Sequence, residues 1–462
     1  MALQNTSAGA KIASVAKTGG RLWFIGIGGV HMSAMALWAA RRGFSVAGSD
    51  RSANERTDAL RTAGISVHFG HNAARVVGAD AVIYTLAISS ENPEYTAAKR
   101  LGIPTFSRAD FLSYMMMEYQ NRIAVAGSHG KSTVTAMLAE IFLCAGRDPT
   151  VFCGAPLCRR GSTMLLGGGK DFIFEACEYQ DSFLCFSPTV AAILNVEMDH
   201  VDYFQSLQSL QSSFGAFAQK AETVVYNAED ARACACVGSG VGFGIQKGDF
   251  STRSLAFCEG KGRFCVKMPD GTQSSEIALR VVGEHNVSNA LAAFAMAHAC
   301  GIDAAAIATG LSSFRGAGRR MEYRGMIHGA RVFDDYAHHP SEIRATLRAA
   351  RQMMRGGRLI AVFQSHTYSR TAAFFTEICE ALSLADRVLI APIYPARETD
   401  TLGMSAVRLA AGVGDVATAA AGFGEIAEML LCELVPGDLA VVMGAGDIDR
   451  LFGEFSEKHF TL

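Results

Sequence analysis

The residues with the clearest chemical meaning lie at 123–135, where the sequence reads Ile-Ala-Val-Ala-Gly-Ser-His-Gly-Lys-Ser-Thr-Val-Thr. A short apolar run gives way to two glycines, a lysine and hydroxyl residues, and an apolar pattern typical of a helix follows. Glycines let the backbone pass close to an anion, and the start of a helix presents N–H groups and a positive dipole end. The pattern predicts a strand, a phosphate-binding loop and a helix.

Within this loop, Lys131 is placed to reach the terminal phosphates of a nucleotide, and Ser132 can offer its hydroxyl to Mg²⁺. The spacing differs from the usual Gly-x-x-x-x-Gly-Lys-Ser/Thr because Val125 occupies the position of the first glycine. The match is therefore to a shortened loop. An ordinary glycine-rich turn between a strand and a helix is the alternative.

Acidic residues follow two further apolar runs that we interpret as strands of the same sheet. Glu175 and Glu178 end the first run, and residues 195–202, Asn-Val-Glu-Met-Asp-His-Val-Asp, follow the second. Carboxylates at the carboxyl ends of parallel strands beside a phosphate loop suit a Mg²⁺ site. A single such acid is more often a solvated turn residue, but two acidic strand ends after a phosphate loop favour a metal site.

The N-terminal region also combines glycines with an acid. An apolar run ends in Gly26, Gly28 and Gly29, and a second run ends in Asp50 about twenty residues later, as in a Rossmann-type unit. The third glycine of the dinucleotide motif is missing, so the region predicts only a phosphate-containing ligand, and a turn without any ligand is the alternative. NAD-dependent dehydrogenase activity would leave Lys131 unexplained.

Polar clusters also follow the strands that we predict at 330–335, 359–363, 388–391 and 439–443. They include Asp335 to His339, His366 to Arg370, and Arg397 with Glu398. Because the carboxyl ends of parallel strands meet at one edge of a sheet, we expect these polar side chains to line that edge. For a single histidine such as His339, a satisfied core or surface side chain is the alternative. Asn286 either caps the helix that follows residue 283 or binds a ligand, and Arg320 marks a domain boundary or an arginine brought to a phosphate.

Length and composition limit the class of protein. The chain has 462 residues, 50% hydrophobic and 19% charged, with a net charge of −2. About three domains are expected, and no nucleic-acid partner is indicated. Residues 1–20 have no signal-like apolar core, and we expect a flexible tail there; no apolar run is long enough to span a membrane. The twelve scattered cysteines indicate reduced thiols and a cytoplasmic location.

Several motifs together resemble the Mur ligase family from residue 21 to the C-terminus. They are 26–29 (Gly-Ile-Gly-Gly), 126–132 (Ala-Gly-Ser-His-Gly-Lys-Ser), 175–178 (Glu-Ala-Cys-Glu), 195–200 (Asn-Val-Glu-Met-Asp-His), 285–289, 318–320 (Gly-Arg-Arg), 334–340 (Asp-Asp-Tyr-Ala-His-His-Pro) and 364–370 (Gln-Ser-His-Thr-Tyr-Ser-Arg).

The resemblance implies an α/β fold of three domains: a Rossmann-like UDP-sugar-binding domain at 21–118, a central P-loop ATPase-type domain that binds ATP at 119–321, and a Rossmann-like amino-acid-binding domain at 322–462. It implies hinges near 118–122 and 318–324. It also implies amide formation with ATP, UDP-N-acetylmuramate and an amino acid as substrates, two Mg²⁺ ions, a cytoplasmic step of peptidoglycan precursor synthesis, and a monomer or homodimer.

The resemblance also implies roles for individual residues. The catalytic residues would be Lys131, Glu175, His200, Arg320, His338 and Arg370, with Ser132, Glu175 and His200 as metal ligands. ATP would bind to Gly127, Ser128, His129, Gly130, Lys131, Ser132, Thr133, His285, Asn286, Asn289, Arg320 and Asp335. The UDP-sugar would bind to Gly26, Gly28, Gly29, Val30, His31, Asp50, Ala87 and Ser89, and the amino acid to Tyr336, His338, His366 and Arg370.

The sequence departs from the family pattern at three of these motifs. His31 stands where glycine is common, Cys177 where aspartate is common, and Thr367 where arginine is common. Residues 212–214, Ser-Ser-Phe, lack the lysine of later-acting members, which favours the branch that adds L-alanine. A ligase that adds a tripeptide and a non-catalytic nucleotide-binding relative are the alternatives.

Overall fold

The computed structural model describes residues 12–15, 19–85, 87–157, 161–456 and 460–461. These residues form three β-sheets in succession along the chain, each packed against helices. Most strand pairs in the sheets are parallel, which confirms the predicted three-part α/β fold. The exact domain boundaries, at 118/119 and 321/322, and the two hinges stay predictions.

The first sheet has five parallel strands in the order β3-β2-β1-β4-β5, the arrangement expected of a Rossmann-type unit. Its strands are β1 (Arg21–Ile25), β2 (Ser45–Asp50), β3 (Ser66–Phe69), β4 (Ala81–Tyr84) and β5 (Thr105–Ser107). The helices are α1 (Val30–Arg41), α2 (Glu55–Thr62), α3 (Pro93–Arg100) and α4 (Arg108–Met116). The glycine-rich turn therefore lies between β1 and α1, at the carboxyl edge of the sheet.

The N-terminal segment differs from the flexible tail that we expected at 1–20. Residues 12–15 are helical, and Ile12 is 1% exposed within the hydrophobic core of the first sheet. Burial of this side chain ties that turn to the domain, so the expectation is wrong for 12–15. Residues 1–11 and 16–18 lie outside the described residues.

The second sheet has ten strands in the order β15-β14-β13-β12-β11-β10-β6-β9-β7-β8. The strands are β6 (Asn121–Ala126), β7 (Thr150–Leu157), β8 (Ser162–Leu165), β9 (Asp171–Glu175), β10 (Val190–Ile193), β11 (Thr223–Asn227), β12 (Val241–Gly244), β13 (Phe250–Cys258), β14 (Lys261–Lys267) and β15 (Ile277–Val282). The helices are α5 (Lys131–Cys144), α6 (Leu207–Ala218), α7 (Ala231–Cys236), α8 (Glu284–Ala299) and α9 (Ala304–Ser313).

The strand β6 pairs in parallel with both β9 and β10. The carboxyl ends of these three neighbours therefore meet at one edge. This register brings together the glycine loop, Glu175 and the acidic segment after Ile193.

The third sheet has seven strands in the order β20-β19-β18-β21-β17-β16-β22. They are β16 (Glu322–Ile327), β17 (Ala330–Asp335), β18 (Leu359–Phe363), β19 (Arg387–Ile390), β20 (Ala417–Ala419), β21 (Leu439–Met443) and β22 (Phe460–Thr461). The helices are α10 (Pro340–Gln352), α11 (Tyr368–Ala373), α12 (Phe375–Leu382), α13 (Ala406–Val413) and α14 (Phe423–Glu433). The central strands β17, β21, β18 and β19 are parallel, so their carboxyl ends share one edge, as predicted.

The helices α1 and α10 begin at Val30 and Pro340. Proline is favoured in the first turn of a helix, where its missing N–H has no partner to lose. Cys153, Cys236 and Cys379 are buried free thiols. Within the described residues no helix is long and apolar enough to cross a membrane.

Candidate active site

The predicted phosphate loop joins β6 to α5 and depends on both of its glycines. Gly127 and Gly130 have φ of +146° and +84°, in the region that side chains disfavour. A Cβ at Gly127 would lie 2.9 Å from Leu194 Cβ, and one at Gly130 would lie 2.6 Å from Asn289 Oδ1. The first N–H groups of α5 have no partner within the helix and can meet an anion.

The segment that follows β10 braces this loop. The Ser128 amide donates to the Asn195 carbonyl at 3.1 Å, and the His129 amide donates to Asn195 Oδ1 at 2.8 Å. Ser128 Oγ donates to the Glu197 carbonyl at 2.9 Å. The loop therefore has a fixed shape that the sequence pattern around Gly130 and Lys131 does not reveal.

Lys131 points to the carboxylate of Glu178, and the two groups are 3.0 Å apart. Its ammonium also donates to the carbonyls of Gly127 and Ser128. Burial alone lowers the pKa of Lys131, but the Glu178 carboxylate outweighs it and the pKa is raised. The lysine is therefore charged and held at the mouth of the loop.

The three predicted metal ligands line one cavity of about 370 Å³ between the second and third sheets. Gly154 donates its amide to Glu175, and a Cβ at Gly154 would lie 3.0 Å from both Glu175 oxygens and 3.2 Å from Ser132 Oγ. His200 Nε2 lies 3.8 Å from Glu178 Oε1. A hydroxyl, a carboxylate and an imidazole thus converge beside Lys131, a donor set that can hold divalent cations.

A second cavity, of about 320 Å³, opens on the other side of the loop. Its walls include most of the residues predicted to bind a nucleotide, namely His129, Gly130, Thr133, His285, Asn286, Asn289, Arg320 and Asp335. Leu194, Phe243, Val281 and Phe314 add apolar surface. An apolar slot beside a phosphate loop has the composition of a site for a nucleobase.

Two asparagines in the first turns of α8 are fixed in this second cavity. Asn286 Nδ2 donates to the Val282 carbonyl at 2.8 Å, and Asn289 Nδ2 donates to Asn286 Oδ1 at 3.1 Å. Asn286 does not cap α8, since Gly283 is the N-cap residue. The capping interpretation of Asn286 is therefore wrong, and its ligand-binding role stays a prediction.

Arg320 lines both cavities and lies where they meet. Its Cζ is 5.3 Å from the Tyr336 ring centre, and a terminal nitrogen is 3.9 Å from Glu342. Arg320 Nε is among the few buried polar atoms of the described residues with no hydrogen-bond partner. An unpartnered guanidinium nitrogen at this junction suits a bound phosphate group where a ligand extends from one cavity into the other.

The predicted amino-acid-binding residues also converge on the 370 Å³ cavity, which includes Tyr336, His338, His366 and Arg370. Arg370 crosses between domains: its Nη2 donates to Asp199 Oδ1 at 2.7 Å and its Nη1 to His366 Nδ1 at 3.1 Å. Burial, reinforced by the nearby Arg370 charge, lowers the pKa of His366 to about 4. The imidazole is neutral at physiological pH.

His338 is held in one tautomer. Its Nδ1 lies 2.9 Å from the Tyr336 carbonyl, which can only accept, so Nδ1 carries the hydrogen and Nε2 has the free lone pair. Burial lowers the pKa of His338. The side chain therefore offers a neutral proton acceptor within the 370 Å³ cavity.

His129 links the phosphate loop to the start of α10. It pairs with Glu197 at 3.0 Å and with Glu342 at 3.2 Å, and Ser341 Oγ donates to Glu197 Oε2 at 2.6 Å. Burial lowers the pKa of His129, but the two carboxylates outweigh it and raise the pKa to about 9. His339 completes this cluster, 4.7 Å away from His129 between ring centres.

The first-domain residues lie around the carboxyl edge of their own sheet. The Gly28 amide donates to Asp50 Oδ2 at 2.8 Å, and a Cβ at Gly26 would lie 2.8 Å from Thr85 Cγ2, next to the turn that contains Ala87 and Ser89. Gly29 precedes α1, which begins with Val30 and His31. The two cavities described above are lined by other residues, so the UDP-sugar roles stay predictions.

Two of the three sequence departures lie in the reaction region. Cys177 lines the 370 Å³ cavity, and burial, reinforced by Glu178, raises its thiol pKa to about 11. Thr367 has φ of +67°, unusual for a β-branched residue, and its Oγ1 accepts from the Arg370 amide at 3.4 Å. It therefore caps the short helix that carries Arg370.

The site contains important residues that were not assigned roles from sequence. They are Glu178, Asn195, Glu197 and Asp199 in the second domain and Ser341 and Glu342 in the third. The first four lie in the strand-end runs that the sequence identified. Glu342 had a weaker signature, the capping box that it forms at the start of α10.

Three models of one family match the chain. They are described as Mur ligase family, catalytic domain (residues 21–120), Mur ligase middle domain (residues 125–297), and Mur ligase, glutamate ligase domain (residues 319–446). Together they cover most of the chain.

Individual relatives align over almost the whole chain. The UDP-N-acetylmuramate–L-alanine ligase of Caldicellulosiruptor bescii is 39% identical over 93% of this chain and 97% of its own. That of Agathobacter rectalis is 41% identical, with 94% and 97% covered. The crystal structure of the UDP-N-acetylmuramate-alanine ligase from Thermotoga maritima superposes with a TM-score of 0.79 at 29% identity, with 95% of this chain and 99% of that chain covered.

A murein peptide ligase from Psychrobacter arcticus superposes with a TM-score of 0.69 at 24% identity over 94% of this chain and 97% of its own, which shows a shared fold. The family models and the relatives agree with the motifs from which the site was built. The chain belongs to the Mur ligase family.

Proposed function

We propose that the protein is an ATP-dependent ligase that joins L-alanine to the carboxylate of UDP-N-acetylmuramate, in a cytoplasmic step of peptidoglycan precursor synthesis. The observation that carries the proposal is that Lys131 and Ser132 share one cavity with Tyr336, His338, His366 and Arg370. A phosphate-transfer group and an amino-acid site are thereby adjacent. The curated relatives at about 40% identity carry this activity in their names.

ATP is proposed to lie across the two cavities, with the base near Asn286 and Asn289 and the phosphates along the loop toward Lys131 and Arg320. In the first step, an oxygen of the sugar's carboxylate forms a bond to the γ-phosphorus, and the bond to the β–γ bridging oxygen breaks. ADP leaves and an acyl phosphate forms. Lys131 and Arg320 counter the negative charge that two anions bring together.

Mg²⁺ is proposed to be held by Ser132, Glu175 and His200, with two ions in all. Bound there, the metal would neutralise phosphate charge and orient the transferred group. Glu178 lies 3.0 Å from Lys131 and 3.8 Å from His200, so its carboxylate can balance the charge of Lys131 beside a proposed metal ligand.

In the second step, the L-alanine nitrogen attacks the acyl carbonyl, and inorganic phosphate leaves. The amino group arrives as an ammonium and loses a proton, for which His338 Nε2 is a suitable acceptor. Arg370 is proposed to bind the amino acid's carboxylate. The acyl phosphate requires protection from water, which the walls from two domains can provide.

The first domain is proposed to bind the UDP-sugar around Gly28 and Asp50 and to present its carboxylate to the cavity. His31, Ala87 and Ser89 belong to the same proposed surface. We propose that the protein acts either as a monomer or as a homodimer.

The test is phosphate release from ATP with Mg²⁺ and UDP-N-acetylmuramate, with L-alanine, glycine, L-serine or L-alanyl-γ-D-glutamyl-diamino acid as the nucleophile. We expect release with L-alanine, and none without the UDP-sugar. Release with the tripeptide alone would assign the protein to peptide ligation. No release with any nucleophile would overturn ligase activity and favour a non-catalytic nucleotide-binding protein.

A further inference from the structure

Arg108, the first residue of α4, is a partly buried cation without a carboxylate partner. Its Nη1 donates to His31 Nδ1 at 3.1 Å, and within the described residues this is its one hydrogen bond. No carboxylate of those residues lies within ion-pair distance of it, and burial lowers its pKa although Glu175 acts in the opposite direction. A half-buried guanidinium without a counter-ion is costly unless an anion is bound there.

His31 fixes the orientation of this guanidinium. His31 Nε2 lies 3.2 Å from the Cys153 carbonyl in β7, which can only accept, so Nε2 carries the hydrogen and Nδ1 has the lone pair. The ring also packs edge-on against Phe152 at 5.8 Å. One neutral imidazole therefore connects α1 and α4 of the first domain to a strand of the second.

Arg108 lies between the two regions that the UDP-sugar has to connect. His31 follows directly after the glycine turn at 26–29, and α4 begins at the carboxyl edge of the same sheet. On the other side, the Cys153 carbonyl that accepts from His31 is followed by Gly154, whose amide donates to Glu175, and both Gly154 and Glu175 line the 370 Å³ cavity.

The remaining donors of Arg108 are accessible to a ligand. None of its nitrogens is among the fully buried, unpartnered side-chain atoms of the described residues. Arginine has five N–H donors in a planar fork, and His31 uses one of them. The others are available to an oxyanion in bidentate geometry.

Building on the proposed function, we propose that Arg108 binds an oxyanion of the UDP-sugar where it enters the reaction cavity, and that His31 is the positioning residue for Arg108. The sugar substrate has two such groups, the carboxylate that reacts and the pyrophosphate. Their shared chemistry is a delocalised pair of anionic oxygens. His31 stands where glycine is common in the family. This substitution has a role in the proposal, since glycine could not orient the guanidinium.

The test is isothermal titration of the full-length protein with UDP-N-acetylmuramate and, separately, with UDP-N-acetylglucosamine, which has the pyrophosphate and lacks the carboxylate. Arg108→Ala should weaken binding of the first ligand by about 10- to 100-fold, and Arg108→Lys should recover part of the loss. An equal loss for both ligands would assign the pyrophosphate, and a loss confined to the first would assign the carboxylate.

The role of His31 is tested in the same titrations. His31→Ala should weaken binding about fivefold, whereas His31→Gln, which can donate to Cys153 and accept from Arg108, should bind as the wild type does. The double variant with Arg108→Ala should be no weaker than Arg108→Ala alone. The KM for ATP should stay unchanged in all of these variants, which a general loss of structure would not allow.

Arg42→Ala is the matched control, since Arg42 pairs with Glu118 in the same domain at 2.7 Å. Folded Arg108→Ala with wild-type affinity for UDP-N-acetylmuramate would overturn the proposal. Failure of the proposed function is recognised separately, in the wild type, as the absence of turnover that depends on the UDP-sugar.

Discussion

The chain contains two glycine turns that join a parallel strand to a helix, at residues 26–29 in the first domain and 127–130 in the second. Both turns require glycine because an added Cβ would lie too close to neighbouring atoms, but the charged groups around the two turns differ. Asp50 accepts from the Gly28 amide at the first turn, so a carboxylate of the protein fills the place beside the glycines. At the second, Lys131 and Arg320 provide cationic groups beside the glycines.

This difference shows that glycine spacing predicts a backbone shape and that neighbouring charges determine the ligand. The cationic groups at the second turn suit an anion with several charges. The first is braced by the hydrogen bond from the Gly28 amide to Asp50, and the nearby Arg108, a cation without a carboxylate partner among the described residues, begins a different helix. Four experiments can test this contrast.

The largest effect is expected for Lys131→Ala. Removing the cation that we propose faces the transferred phosphate should lower kcat by about 10³-fold or more, while UDP-N-acetylmuramate should bind as before because its proposed site belongs to the other turn. Phosphate release and isothermal titration measure the two effects. Loss of UDP-sugar binding in a folded variant would show that the two turns are not separate sites.

A matched pair of glycine substitutions should separate the turns. Gly130→Ala places a Cβ 2.6 Å from Asn289 Oδ1, and Gly28→Ala places one 2.7 Å from Thr57 Cγ2 and 2.9 Å from Asp50 Oδ2. We expect the first to raise the KM for ATP and the second the KM for the UDP-sugar, each by about 10- to 100-fold.

Steady-state kinetics with one substrate varied at a time measures both constants. Gly43→Ala is a control, because Gly43 has φ of +86° and a Cβ added there would meet no atom within 4 Å, so the substitution adds backbone strain without a clash. Equal effects of Gly130→Ala on both substrates would contradict the separation.

The charged surroundings of the second turn should make stability depend on pH. The pKa of His129 is about 9 in the folded protein, against 6.5 when unperturbed, so its contribution is complete below pH 6.5 and is lost as the pH rises through 9. Glu342, Glu197 and His339 are the groups that face it. The loss should be about 3 kcal/mol at most.

The thermal unfolding midpoint, measured between about pH 6 and pH 10, checks this expectation. The midpoint of the wild type should fall more steeply with rising pH than that of His129→Gln, which retains hydrogen bonding without a titratable proton. Parallel pH profiles for the two proteins would contradict the assigned pKa.

The smallest effect is expected for Asp50→Asn. The side-chain oxygen of asparagine can still accept the hydrogen bond from the Gly28 amide. If Asp50 acts only as this acceptor, the affinity for the UDP-sugar should change less than about fivefold. Asp50→Ala, which removes the acceptor, should have a larger effect in the same titration. A large loss with Asn would show that charge matters at the first turn too.

Sequence patterns predicted much of the architecture because local rules fix it. The apolar runs that end in Ala126, Glu175 and Ile193 are buried strands, and parallel pairing then places the residues that follow at one edge. The phosphate loop and the predicted metal ligands converge for this reason.

Contacts between domains could not be predicted in this way. The pairing of Arg370 with Asp199 joins residues 171 positions apart, and that of His129 with Glu342 depends on how two sheets face each other. No local periodicity encodes such a distance. The orientation of His31 toward Cys153 could not be predicted for the same reason.

The pairing of Arg370 with Asp199 has a consequence for selectivity. In the proposed reaction, the carboxylate of the free amino acid meets a guanidinium that already has a tethered anion 2.7 Å away. The measured affinity is then a competition between an internal and an external carboxylate, and a tethered competitor is present at a high effective concentration. All candidate amino acids have the same carboxylate, so this competition does not distinguish them. Discrimination between amino acids therefore depends on contacts with the side chain and the amino group.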